Sequence, residues 1–219
     1  MPVPDLRLYA LVDAALGRER LPELARRAVA GGATLVQYRD KQAGTRQMVE
    51  CARAIGAALA GSGVPLLIND RLDVALAGGA AGVHLGREDM RAADARALLG
   101  PGAILGLTVK NAADAAEAGR APVDYACIGG VFETLSKVNP DPPVGLVGLS
   151  ELRARLRDLA PHLPVGAIAG IDLARVAPVI AAGADGVAVI SALFGADDVA
   201  GRARDLRAAV DAAFKERAA

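Results

Sequence analysis

The stretches AVAGGATLV (28–36), ALAGGAAGV (75–83) and IAAGADGVAV (180–189) repeat one design at three distant points of the chain. In each, an alanine-rich segment of helical character meets glycine, and an apolar run follows at once. Glycine takes the left-handed conformation that ends a helix at little cost, so a buried strand can begin without a linker. Working outward from these joints, short β-type runs alternate with longer segments of helical period. The runs are RLYALVD (7–13), ATLVQYRD (33–40), VPLLIND (64–70), GVHLG (82–86), AILGLTV (103–109), DYACIGGVF (124–132), VGAIAGI (165–171) and DGVAVISAL (185–193). Between and after them lie RLPELARRAVAGG, TRQMVECARAIGAALAGSG, SELRARLRDLAPHL and DDVAGRARDLRAAVDAAFKERAA.

Near-continuous apolar strands joined by helical crossovers indicate a parallel sheet covered by helices. Eight such units in 219 residues favour a closed (β/α)8 TIM barrel over an open sheet. No domain boundary is visible, so residues 1–219 read as a single α/β barrel domain. A barrel carries its site at the C-terminal ends of its strands, and those ends are where function should be sought.

Composition narrows the function classes. Lys plus Arg number 25 and so do Asp plus Glu, for a formal net charge of zero. That balance offers no argument for nucleic acid or for an acidic membrane surface, and any phosphate-binding charge must be local. Cys51 and Cys127 stand alone in apolar stretches, with neither disulfide nor zinc spacing, and read as buried thiols. The N-terminal MPVPDLRLYALVDAALG lacks a basic region and an apolar signal core, and no apolar run reaches membrane-spanning length. A cytoplasmic protein is the expectation.

The second run ends in QYRDK. Alternation along a strand puts Gln37, Arg39 and Lys41 on one face, with Tyr38 and Asp40 on the other. An amide, a guanidinium and an ammonium together suit an anionic, oxygen-rich ligand; a solvated loop with an Arg–Asp pair is the plainer reading. The third run ends in Asn69 and Asp70, either of which could cap the following helix. The fourth ends in VHLGREDM (83–90), with Glu88 and Asp89 just beyond the strand. Neighbouring βα loops can bring Asp70 and Asp89 together, and two carboxylates beside a cationic strand end make sense if Mg2+ joins them. From the acids alone, capping of a helix beginning near Met90 is the simpler account.

After the sixth run comes GGVFETLSKVNPDPPVGL, the longest irregular stretch. Long loops in compact domains are usually functional or disordered, and Thr134, Ser136 and Lys137 offer hydroxyls and a cation. Gly170 and Ser191 follow the seventh and eighth strands, where backbone N–H groups of such barrels commonly hold phosphate. His84 lies inside a strand and reads as a hydrogen-bonded interior residue. His162 reads as a surface residue at a helix end. Without a Ser–His or Cys–His pairing, nucleophilic catalysis is not suggested.

Taken in order, QYRDK, IND, GVHLGREDM, VFETLSK followed by PPVGL, AIAGI and GVAVIS resemble the thiamine phosphate synthase family over nearly the whole chain. The resemblance implies a barrel that condenses 4-amino-2-methyl-5-(diphosphomethyl)pyrimidine with 4-methyl-5-(2-phosphoethyl)thiazole, releasing diphosphate with Mg2+. It implies that Gln37, Arg39, Lys41 and Asn69 hold the pyrimidine diphosphate and that Asp70 and Asp89 hold the metal. Thr108 would add a hydroxyl from strand five, and Lys137 would contact the diphosphate. Thr134, Ser136, Gly170, Ile190 and Ser191 would receive the thiazole phosphate, Ile190 largely through its backbone. Partners would be these small molecules, with no nucleic acid and no membrane, and with room for a homo-oligomer. The chain departs from the family pattern at Thr108 and Lys110 (for serine and histidine), at Glu133 and Ser136 (for proline and threonine) and at Ala169 (for glycine). A thiazole tautomerase-like relative on the same barrel would need neither diphosphate clamp nor metal pair. Retention of Arg39, Lys41, Asp70, Asp89 and Lys137 together argues against it. A non-catalytic regulatory barrel that binds the thiazole phosphate is the rival from another class.

Overall fold

A computed structural model of the protein describes residues 3–134 and 142–218. Eight parallel strands close into a barrel in sequence order: β1 (Leu8–Asp13), β2 (Leu35–Arg39), β3 (Leu66–Asn69), β4 (Gly82–Leu85), β5 (Ile104–Val109), β6 (Tyr125–Ile128), β7 (Val165–Ile168) and β8 (Val187–Val189). Pairing of Leu8 with Val187 and of Tyr9 with Ala188 closes the ring. The helices α1 (Leu21–Ala30), α2 (Thr45–Ala58), α3 (Leu72–Gly78), α4 (Ala92–Leu99), α5 (Ala112–Ala118), α6 (Gly145–Leu159), α7 (Val176–Ala181), α8 (Ser191–Phe194) and α9 (Val199–Ala218) lie between and after them.

Each long helix buries a stripe at helical spacing. In α2 the buried residues are Met48, Cys51, Ala52 and Ile55; in α9 they are Val199, Ala203, Leu206, Val210 and Ala213. These stripes pack on the outward faces of the strands, including Val36, Tyr38, Ile68 and Val83. Alternate strand residues turn inward, where Tyr9, Leu11, Leu35, Leu67, Tyr125 and Cys127 form a separate inner core.

The glycine joints behave as their sequences require. Gly32, Gly79 and Gly183 all have positive φ, and Gly79 is the left-handed C-cap of α3. A second device supports this lower end. Asp124 and Asp185 stand just before β6 and β8; Asp124 accepts from the amide of Leu105 (2.8 Å) and Asp185 from that of Val165 (3.0 Å). Each acid also holds a guanidinium, Arg96 at 2.6 Å and Arg153 at 3.2 Å.

The strands are shorter than their apolar runs suggest, the sixth and the eighth most of all. The sixth leaves the sheet after Ile128, because the chain turns at Gly130 with φ +70°. The eighth stops at Val189; Ile190 breaks the extended conformation and Ser191 begins α8. Both residues sit where the backbone must bend toward the rim. No helix among the described residues is long and apolar enough to cross a membrane.

Candidate active site

A cavity opens at the C-terminal ends of the strands. The alternation expected for QYRDK is present: Gln37 and Arg39 line this cavity, whereas Tyr38 packs outward beneath the helices. Asp40, also outward, accepts from Arg18 Nε (2.8 Å), the Tyr38 hydroxyl (3.0 Å) and the amides of Gln42 (2.9 Å) and Ala43 (3.0 Å). Burial acts to raise its carboxyl, yet these donors together hold it below the ordinary carboxylate range. Arg39 does form an Arg–Asp pair, but its partner is Asp13 at the end of β1, opposite it in the register.

Asn69, Thr108, Thr134, Gly170, Ile190 and Ser191 line the same cavity. Gly170 has φ +64°, and a Cβ there would fall 2.3 Å from the Glu133 carbonyl oxygen. Only glycine fits between these loops. Its own carbonyl accepts from Arg175 Nη1 at 2.5 Å, and the Arg175 guanidinium lies 4.6 Å from the Phe132 ring centroid. Beside it Ala169, the residue that departs from the family glycine, has φ +92°. That conformation is strained for a residue with a Cβ, and such strain collects at functional sites.

Lys41, Asp70 and Asp89 form a second cluster at the rim. Asn69 pairs with His84 between β3 and β4, and the Asp70 amide donates to the His84 carbonyl at 2.9 Å. This register sets Asp70 beside the loop after β4, where its carboxyl and that of Asp89 act on each other. Lys41 donates to Asp70. Asp70 itself has φ +62°, a left-handed conformation that Asp tolerates better than most residues. Burial and the neighbouring Asp70 push the Asp89 carboxyl up to about 6. For Asp70 burial also acts upward, but the Lys41 bond, the Asp89 carboxyl and nearby positive charge bring it below its ordinary value.

The capping account fails for these acids. The N-caps of α3 and α4 are Arg71 and Arg91, neither with a side-chain cap bond. Asp89 instead turns back, accepting from the Gly86 amide at 2.7 Å, and so closes the tight turn after β4. Glu88 is exposed, and Arg87, also exposed, pairs with Asp114 at 3.0 Å. Thr108 joins the two clusters, because it lines the main cavity and also the cleft beside Asp89. Ser136 and Lys137 lie outside the described residues.

Comparison with known proteins places this architecture. The sequence profile for thiamine monophosphate synthase matches residues 8–193. The thiamine-phosphate synthase of Agrobacterium fabrum is 64% identical over 97% of each chain. The chain belongs to the thiamine monophosphate synthase family. The thiamine-phosphate synthase of Chloroflexus aurantiacus is 46% identical, covering 95% of this chain and 94% of its own. Among solved structures, thiamine phosphate pyrophosphorylase from Pyrococcus furiosus superposes with a TM-score of 0.84 at 37% identity, over 96% of this chain and 98% of its own. A 3-hexulose-6-phosphate synthase, at 22% identity and a TM-score of 0.67, covers 93% of this chain and 99% of its own and shares the barrel alone.

For a member of this family, the cavity also has members to which the sequence assigns no binding role. His84 is a hydrogen-bonded interior residue as expected, with Nδ1 2.8 Å from the Tyr125 hydroxyl and Nε2 2.8 Å from Thr108 Oγ1. It also lines the cavity, together with Tyr9, Lys110 and Cys127. Cys127 is the buried thiol expected; burial pushes it up to about 12, so it is no nucleophile at neutral pH. Tyr9 could have been found by counting in twos along β1, which puts it on the face of Leu11 and Asp13. Asp13 gave no such signal, since its partner Arg39 is distant in sequence.

Proposed function

We propose that this chain is a thiamine-phosphate synthase, joining the pyrimidine diphosphate to the thiazole phosphate with release of diphosphate. The observation that carries the reading is the acid pair Asp70–Asp89 with Lys41, set at the rim of a cavity lined by Arg39, Gln37 and Asn69. Two carboxyls in contact need a proton or a cation between them. Lys41 supplies the cation in the ligand-free protein, and Asp89 supplies the proton only below about pH 6. A divalent ion answers the same electrostatic demand, so the residues fit Mg2+ with Asp70 and Asp89 as its ligands. Among the described residues no group of three or more His, Cys, Asp or Glu could hold a metal. Two carboxylates plus water and substrate oxygens are a usual Mg2+ set. Bound there, the ion would neutralise charge on the diphosphate as it leaves.

The chain's own groups do the rest. Arg39, kept in place by Asp13, and Lys41, released from Asp70, place positive charge on the leaving diphosphate, where negative charge grows in the transition state. Lys137 is assigned to the same oxygens. Gln37 and Asn69 orient the pyrimidine, and Thr108 offers a hydroxyl between the two clusters. Thr134, Gly170, Ile190 and Ser191, which line the cavity, hold the thiazole phosphate, and Ser136 is assigned to the same phosphate. Apolar walls from Leu11, Ile168 and Ile190 limit water around a carbon that develops positive charge. No protein nucleophile is required, because the thiazole nitrogen attacks directly.

The test is diphosphate release measured with both substrates, with and without Mg2+. Release that depends on both substrates and on the metal is expected. Binding of the thiazole phosphate without any diphosphate release, even at high concentrations, would instead assign a regulatory barrel.

A further inference from the structure

Beneath the rim, five side chains from five strands are joined end to end. Gln37 Nε2 donates to the Tyr9 hydroxyl, which lies 2.8 Å from the Tyr125 hydroxyl. Tyr125 is 2.8 Å from His84 Nδ1, and His84 Nε2 is 2.8 Å from Thr108 Oγ1. The barrel makes room for this chain. A Cβ on Gly106 would fall 2.1 Å from Tyr125 Cζ, so the strand beside the ring carries glycine. Both tyrosines are fully buried, and burial above all else raises their hydroxyls well beyond neutral pH. Each phenol therefore keeps one hydrogen to give.

That single hydrogen makes the chain directional. The Gln37 amide donates to Tyr9, so the Tyr9 hydrogen is available to Tyr125. Tyr125 then gives its own hydrogen to His84 Nδ1. A neutral imidazole accepting at Nδ1 carries its hydrogen on Nε2 and donates it to Thr108. Thr108 Oγ1, having accepted, turns its own hydrogen elsewhere, and it faces the cavity where that cavity meets the cleft beside Asp89. The opposite sense would leave the buried Tyr9 hydrogen without an acceptor while Gln37 donates, which is costly in a dry interior.

We propose that Gln37, Tyr9, Tyr125 and His84 form a one-way hydrogen-bond chain that fixes the Thr108 hydroxyl as a donor into the cavity. Within the chain the four position the Thr108 hydroxyl, and Thr108 is the member whose hydrogen is offered to the ligand. In the synthase reading, on which the catalytic half of this inference rests, a donor at this point faces diphosphate oxygen, and it needs no reorganisation when charge develops.

The chain can be read in the ligand-free protein, independently of any reaction. The protein has two histidines, and His162 is exposed. A His162→Gln variant labelled with 15N-histidine therefore reports His84 alone by NMR. A neutral ring protonated at Nε2 and bare at Nδ1 is expected. Protonation at Nδ1, or on both nitrogens at pH 8, overturns the proposal. In the same background, Gln37→Glu at pH 8 places an acceptor against Tyr9 and should reverse the chain, moving the His84 hydrogen to Nδ1. Tyr125→Phe, which keeps the ring, should leave a mixture of both tautomers. An unchanged Nε2–H tautomer in both variants overturns the proposal.

The catalytic half is read by kinetics. Thr108→Ser should stay within about threefold of the parent kcat. Thr108→Val should lose about 100-fold, with the KM for the thiazole phosphate little changed. Equal kcat for Thr108→Val and the parent overturns the donor role. Failure of the synthase reading itself looks different, since the parent protein would then release no diphosphate.

Discussion

At the scale of single residues, Asp89 combines two burdens, a turn to close and a carboxyl to share. Its amide-facing oxygen holds Gly86, while its contact with Asp70 and its burial raise it to about 6. The folded protein thus binds this proton more readily than the unfolded chain, whose carboxyl titrates near 3.9. The sign follows: the folded state bears no penalty below about pH 4, and the penalty grows as pH rises through 6. Full conversion of that difference is about 3 kcal/mol, and solvent screening of a half-exposed group reduces it to about 1 kcal/mol. In metal-free buffer, Asp89→Asn should therefore be more stable than the parent by about 1 kcal/mol at pH 8, with the gain gone at pH 4. Denaturant unfolding at the two pH values checks this. The same substitution should weaken Mg2+-dependent binding of the pyrimidine diphosphate by about tenfold or more, because metal ligation needs the charge. Glu88→Gln, altering an exposed neighbour, should stay within about twofold. Calorimetry on the two variants separates them, and equal losses would mean that the metal-binding acid has been misassigned.

At the scale of elements, the strands supply spacing and the loops supply strain. Gly106 leaves beside Tyr125, its partner across the β5–β6 register, the space of a side chain, which the Tyr125 ring fills. Gly106→Ala should cost about 3 kcal/mol through overpacking and should push Tyr125 away from His84. A melt and a crystal structure of the variant test both halves. The motif-bearing strand ends were legible in the sequence, since period-two alternation alone put Gln37 and Arg39 on the inner face. The cap assignments were not. Asp and Asn before a helix ordinarily read as caps, yet Asp70 and Asp89 face each other across neighbouring loops. Which donors such acids meet depends on the β3–β4 register, and composition does not encode that register.

Across the whole molecule, the two ends of the barrel divide their labour. The lower end carries glycine joints and the Arg96–Asp124 and Arg153–Asp185 pairs; the upper end carries the strained Asp70 and Ala169. Asp124→Ala would leave Arg96, 14% exposed at its side chain, without its counter-charge and the Leu105 amide without its acceptor. A loss of about 3 kcal/mol is expected, with kcat/KM nearly unchanged at a temperature where the variant is folded. A fall in kcat/KM matching a catalytic defect would contradict this division.

The sequence by itself determined the barrel, because helix-to-strand joints and apolar periods are local and recur along the chain. It also put Gln37, Arg39, Asn69, Thr108, Gly170 and Ser191 at the strand ends, where one cavity gathers them, because polar groups that end buried strands face the rim. Tertiary structure alone decided the partnerships: Asp13 with Arg39, Lys41 with Asp70, and the line from Gln37 to Thr108. Those partners are distant in sequence: pairing of neighbouring strands brings the first two pairs together, and closure of the ring brings Tyr9 of β1 to Tyr125 of β6.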